Sequence, residues 1–440
     1  MQLQYALAVS LLTLASCTPR GPFRTNKLVP PGAPKEDTRI IEDHGDFQLG
    51  FVEFADDGKR LSGREQLDLV VKRIRTLRHL DLQTGAKQES TIGGLTVIYA
   101  HGWKNNARSI EGRRKDVEKF RDFLRGLATE VNPGPGKSPL PVIGVYLGWR
   151  GRSVEIDASL LNWWTLWPRY FAAGHVGGEP MHDSIAQLIQ AGVAGRKQLT
   201  EERRPRVILI GHSLGARVME NALEKVHNQE LLAVEGNPRR GLLLGQCTAL
   251  NDGKDVTSIV DLTLLVNEAT KSRQARRATR ECSPAASGGM VRHPGFSKSF
   301  CDANPTERRC QPYPIFVHVA SSADWATRFL VPAALLGRTA PHTRSLWTHR
   351  VTPDTGAVTP SPLFKFQTQQ DPPRTYAVSR DPAMPERNPI WIMRVDGNVV
   401  KDHGDIWNES FQNMILGFMG GLDVVQIRSF SGASRVLTKH

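Results

Sequence analysis

The fold turns on Arg206-Val207-Ile208-Leu209-Ile210-Gly211-His212-Ser213-Leu214-Gly215. Residues 206–210 form a short apolar run rich in branched side chains, the pattern of a buried strand. From 214 to 228 the apolar residues fall at helical spacing. Only Gly211, His212 and Ser213 separate the two elements. A serine in such a strained strand-to-helix turn projects its hydroxyl above the sheet edge. The flanking glycines are required because a side chain there would strike the neighbouring strand or helix. The helix amino terminus adds partial positive charge beside the hydroxyl. Ser213 is the candidate nucleophile, and it needs a base to take its proton.

On both sides of this turn, apolar strands and amphipathic helices alternate. Strands are expected at Phe47–Phe54, Leu95–Ala100, Pro141–Trp149, Asp261–Val266, Pro314–Ala320 and Ile390–Val395. Helices are expected at 64–78, 111–130, 180–197, 325–336 and 406–418. Asn132-Pro133-Gly134-Pro135-Gly136 ends the second of these. The alternation implies βαβ units and a mostly parallel central sheet flanked by helices. Seven strands fit one large α/β domain over 46–420 better than several small ones. Two stretches break the rhythm and read as surface insertions. Residues 271–312 carry nine Lys/Arg against three acids, and 351–388 are rich in Pro, Gln and Thr. Residues 421–440 form a carboxyl-terminal tail.

A second motif, Tyr99-Ala100-His101-Gly102-Trp103-Lys104-Asn105-Asn106, follows the strand at 95–100. An HG loop in that place supplies a backbone N–H to an oxyanion hole, and the N–H after the nucleophile supplies another. These are assigned to Trp103 and Leu214, and His101 is read as shaping the loop. With both motifs in context the chain resembles the α/β-hydrolase superfamily, over roughly residues 47–420. More narrowly it resembles bacterial esterase/lipase-like serine hydrolases with HGW-type loops and GHSLGA elbows. That resemblance implies the chain order nucleophile, acid, histidine, the acid after the seventh strand and the histidine after the eighth. Asp324, in Ser321-Ser322-Ala323-Asp324-Trp325, lies just past the strand at 314–320 and is the expected acid. Glu268, after the strand at 261–266, is the rival, and a helix cap is the other reading of Asp324. His403, in Lys401-Asp402-His403-Gly404-Asp405, follows the strand at 390–395 and is the expected base; His349 is the alternative.

The amino terminus reads as an address. Residues 5–16 are apolar and about as long as a signal segment, too short for a permanent membrane span. They run into Leu14-Ala15-Ser16-Cys17, which resembles the lipobox of bacterial lipoproteins, although Met1-Gln2-Leu3-Gln4 lacks Lys or Arg. The resemblance implies cleavage after residue 16 and lipid on Cys17. Thr18 in place of Asp implies the outer membrane of a bacterial cell envelope, facing the periplasm. Pro19, Pro22, Pro30, Pro31 and Pro34 mark 18–45 as a proline-stiffened tether. Cys247, Cys282, Cys301 and Cys310 remain, an even number that suggests two disulfides in an exported protein. Cys301 and Cys310 close a short loop and are the favoured pair.

Composition limits the alternatives. Hydrophobic residues make up 40% of 440, so a core is expected and a wholly disordered chain is excluded. The net charge of +13 suits an anionic surface, yet no recognised nucleic-acid motif occurs. Gly136-Lys137-Ser138 recurs from phosphate loops, but Val131 stands where glycine is needed. No H-E-x-x-H occurs, and neither metal nor cofactor is expected. Trp149, Trp163, Trp164 and Trp167 cluster where the superfamily inserts lids and acyl pockets, or they pack a core. The expected function is a lipid-anchored serine hydrolase cleaving a small-molecule or lipid carboxylic ester. A non-catalytic envelope binding protein, or an acyltransferase or amidase using the same residues, is the alternative.

Overall fold

The structure is a computed structural model. It describes residues 21–25, 38–77, 93–108, 116–131, 140–151, 166–196, 204–224, 250, 253, 255–269, 289–293, 303, 312–331, 342–355, 362–368, 372–384 and 388–422. An eight-stranded sheet forms its centre. In chain order its strands are β1 (Ile41–Asp43), β2 (Phe47–Glu53), β3 (Leu95–Ala100), β4 (Val142–Gly148), β5 (Arg206–His212), β7 (Leu262–Val266), β9 (Phe316–Ser321) and β13 (Ile390–Val395). The short strands β6 (Val256–Thr257) and β8 (Val291–Arg292) pair with each other beside it. Across the sheet the order is β1-β2-β4-β3-β5-β7-β9-β13. Every neighbouring pair is parallel except β1 with β2. This is an α/β-hydrolase-like fold. All seven expected strands are present, most within two residues of their expected ends.

The strands from β2 to β13 are buried on both faces, and successive side chains serve opposite layers. Val52, Ile98, Val207 and Leu209 pack beneath α1 (Glu65–Leu77), α3 (Leu166–Val176), α4 (Glu179–Val193) and α5 (Leu214–Glu224). Phe51, Val97, Ile208, Ile210 and Leu264 face the other layer, with α2 (Asp116–Val131) and α6 (Glu409–Gly421). Each large side chain so buried contributes about 1.5–3 kcal/mol. The helices form where apolar residues recur on one face, as with Leu67, Val70, Val71 and Ile74 in α1. No helix among the described residues is long and apolar enough to cross a membrane.

Three expectations are corrected. The stretch 18–45 is not wholly a tether: Ile41–Asp43 pairs antiparallel with β2, and Phe23 and Arg24 bond to Glu53. The stretch 351–388, which breaks the alternation in the sequence, carries ordered strands of its own among its described residues. It forms an antiparallel sheet of β10 (His349–Pro353), β12 (Arg374–Arg380) and β11 (Phe364–Thr368), in that order. Phe364 and Phe366 bury one face of it against Phe418 and its neighbours on α6. The tryptophan-rich segment contains a helix that the sequence did not announce, α3. Of the helix expected at 325–336, the described residues show a π-helical turn, Ala326–Leu330. Cys17, Cys247, Cys282, Cys301 and Cys310 lie outside the described residues, as do most of 271–312 and the tail from 423.

Candidate active site

The chain leaves β3 for β4 on one side and returns to β5 on the other. Their carboxyl ends therefore open the crevice in which open α/β sheets bind ligands. Ser213 stands there with φ +55°, in the left-handed region that a serine adopts only when its surroundings hold it. A Cβ on Gly215 would come within 2.3 Å of the carbonyl oxygens of Ala100 and His101, so only glycine lets α5 start this close to β3. Gly102 also passes close: its Cβ would lie 2.8 Å from His212 Nδ1 and 3.0 Å from Ser213 Cβ. The HG loop thus runs directly against the turn that carries Ser213.

The three residues expected to act together are brought together. Ser213 Oγ lies 2.7 Å from Nε2 of His403. Nδ1 of His403 lies 3.0 Å from each carboxylate oxygen of Asp324. With the Nδ1 proton donated to the carboxylate, Nε2 is left to accept from the serine hydroxyl. Asp324 follows β9, the seventh strand of the main sheet, and His403 follows β13, the eighth.

Asp324 also bonds to the first amides of the π-helical turn, so its carboxylate faces both His403 and that turn. It accepts from Ala326 N at 3.0 Å, from Thr327 N at 3.2 Å and from the Thr327 hydroxyl. Burial raises its pKa, but the charge and hydrogen bond of His403 and the Thr327 bonds outweigh that, and the carboxyl falls to about 2. Thr327 Oγ1 in turn lies 3.0 Å from Nε2 of His342.

The alternatives bond to other partners. Glu268 is buried, with Oε2 2.5 Å from Nδ1 of His318. His349 begins β10, 2.9 Å from the Thr348 hydroxyl and 4.1 Å from the Trp391 ring; burial lowers it to about 3. His101 accepts from Trp149 N on Nε2 at 3.0 Å, and Trp149 Nε1 donates to its carbonyl at 2.8 Å. Buried and lowered to about 4, it holds the loop in shape. Trp103 follows it, and Lys104 turns the chain with φ +71° and donates its N–H to Gly151 O at 2.7 Å. Leu214 is the first residue of α5, where amides have no intrahelical acceptor.

Two residues at the site were given no role by the sequence. His212 Nε2 donates to the carbonyl of His403 at 2.8 Å, and Asn267 Nδ2 donates to the same oxygen at 3.1 Å. Asn267 Oδ1 accepts from Ser321 N at 3.0 Å, and Asn267 N donates to Val319 O at 2.8 Å. Asn267 therefore ties the histidine loop to the end of β9, from which Asp324 springs. Its own φ of +47° shows how tightly the position is held. Among the described residues no group of His, Cys, Asp and Glu is arranged to hold a metal ion.

Fold and site together define a hydrolase-like α/β protein with a Ser-His-Asp constellation at the sheet's carboxyl edge. No family model matches the chain, and no curated protein matches it. Among solved structures, phospholipase PlaB from Legionella pneumophila is similar over 66% of this chain, at 11% identity and a TM-score of 0.21. This chain covers about half, 51%, of that protein's length.

Proposed function

We propose that the chain is a serine hydrolase that cleaves a carboxylic ester, anchored to the bacterial envelope by lipid on Cys17. The observation that carries the reading is the unbroken path of 2.7 Å and 3.0 Å contacts from Ser213 through His403 to Asp324. Ser213 Oγ attacks the ester carbonyl while His403 Nε2 takes its proton. Asp324 keeps the ring oriented and stabilises its cation. The amides of Trp103 and Leu214 receive the oxyanion, each worth about 10²–10³ in rate. His403 returns the proton to the departing alcohol, then activates water to release the acyl group from Ser213. The test is labelling by a fluorophosphonate together with turnover of p-nitrophenyl esters of rising chain length. Labelling at Ser213 with ester turnover supports the reading. A folded protein that neither labels nor turns over is a binding protein.

A further inference from the structure

The segment Gly21–Thr25 is fixed on the same edge of the sheet as the site. Glu53, the last residue of β2, accepts from the backbone of Phe23 at 3.1 Å and of Arg24 at 2.8 Å. Buried Arg24 donates to Ala107 O at 2.9 Å, in the loop after β3, and to Glu42 at 2.7 Å. Arg150, just past β4, donates to the carbonyl of Gly21 and lies 4.2 Å from the Phe23 ring. Glu53, Ala107 and Arg150 stand at the carboxyl ends of their strands, as Ser213 does. β2 is three strands from β5, about 14 Å away at ~4.8 Å per strand.

Thr25 N donates to Thr38 O at 2.8 Å, which fixes these two residues side by side. Cys17 stands four residues before Gly21 in the sequence. Four residues reach at most about 14 Å. An acyl group on Cys17 therefore holds the site's edge, and not its opposite edge, near the bilayer.

That edge also carries exposed aromatic rings. Arg169 of α3 donates to the carbonyl of Arg150 at 2.5 Å, which seats α3 next to the fixed segment. Its Trp167 and Phe171 are 42% and 61% exposed. Tyr170 between them lies 4.0 Å from the Arg217 guanidinium, one turn past Ser213. Trp325 and Phe329, which follow Asp324, are 47% and 59% exposed, with Arg328 4.9 Å from the Phe329 ring. Single exposed rings are ordinary, but these belong to two elements, one packed on Arg217 of the helix that starts after Ser213 and one running on from Asp324. Aromatic rings accompanied by arginine suit the headgroup layer of an anionic bilayer.

We propose that this rim docks on the lipid bilayer that holds the Cys17 anchor, with Ser213 facing the membrane. The inference rests on the anchor and deepens the hydrolase reading, because the substrate becomes an ester presented by the bilayer. The test uses the full chain, matured in cells and reconstituted into vesicles of phosphatidylglycerol and brominated phosphatidylcholine. Bromine in the bilayer quenches indoles that enter it. Tryptophan emission of the wild type should be quenched, and Trp167→Tyr/Trp325→Tyr should lose roughly half of that quenching or more. In a second variant, Phe171→Ser/Phe329→Ser, turnover of a bilayer-embedded ester should fall about tenfold or more. Its turnover of a soluble short-chain ester should not change. Quenching that is absent from the wild type, or equal in the tryptophan variant, overturns the proposal, as does undiminished turnover of the embedded ester by the phenylalanine variant. If quenching differs as expected but no ester is cleaved, docking stands and the hydrolase reading falls.

Discussion

Nε2 of His212 donates to the main-chain carbonyl of His403 at 2.8 Å, so the residue before the nucleophile holds the backbone of the base. The ring is buried, and burial together with the neighbouring His403 lowers it to about 3. It is therefore neutral at ordinary pH with its proton on Nε2, the form the contact requires. Asn267 Nδ2 donates to the same oxygen at 3.1 Å, so two side chains hold the His403 backbone from this side.

The first expectation concerns that contact. His212→Leu should lower kcat by about 10–100-fold with little change in KM, because a misaimed base costs orientation and not binding. His212→Gln, whose amide can reach the same carbonyl, should recover most of the loss. Equal loss in both variants, or a rise in KM alone, would show that the ring only fills space.

The triad itself is tested by Ser213→Ala and His403→Ala. Each should lower kcat by about 10⁴-fold or more, and the double variant should lose little beyond either, since the two act as one unit. Circular dichroism should stay unchanged. The rival histidine gives the contrast: His349→Gln should retain turnover, because its ring packs on Trp391, away from Ser213.

The acid is tested in the same way. Asp324→Asn should lower kcat by about 10⁴-fold by reversing the hydrogen bond that sets the His403 tautomer. Glu268→Gln changes a group paired with His318, and turnover should survive it. A dead Glu268→Gln with an active Asp324→Asn would exchange the two assignments.

Most of this site was legible because its signals are local. Gly211 to Gly215 sits between a strand and a helix whose periods are strong, and Asp324 and His403 each follow a strand that the apolar pattern marks. β1 escaped notice because only Ile41 of its three residues is apolar, and it gains its place from pairing with β2. The sheet of β10, β11 and β12 was hidden by composition. Phe364-Lys365-Phe366-Gln367 does alternate, but the Pro, Gln and Thr around it read as loop. α3 contains Pro168 in its first turn, where proline is tolerated, although within a tryptophan cluster it reads as a break. The bond from His212 to His403 joins residues 191 apart, and no local pattern announces such a contact.

The last expectation concerns acid. His212, His293 and His349 are all buried and lowered from 6.5 to about 3, with burial the largest cause in each. Between roughly pH 6.5 and 3 the unfolded chain protonates these rings while the folded chain does not. Each therefore removes up to about 1.4 kcal/mol of stability per pH unit as pH falls through that window. Asp261 works differently. Burial raises it, but Arg196 and Arg204, each 2.5 Å away, and the N–H of Val207 outweigh burial and bring it to about 2. Its stabilisation is complete above about pH 4 and is lost as pH falls toward 2. Acid unfolding should accordingly begin well above the carboxylate range, in the histidine window. His349→Phe keeps an aromatic ring against Trp391 and removes one titrating group, so it should flatten the loss of Tm between pH 6.5 and 4 without changing ester turnover. Asp261→Asn should instead lower Tm at neutral pH, since it removes the buried carboxylate charge that faces both Arg196 and Arg204, a change that costs about 3–5 kcal/mol. The measurement is thermal unfolding of the three proteins from pH 7 to pH 3. Equal slopes for the wild type and His349→Phe would mean that His349 is protonated in the folded state and that its packing on Trp391 leaves it open to water.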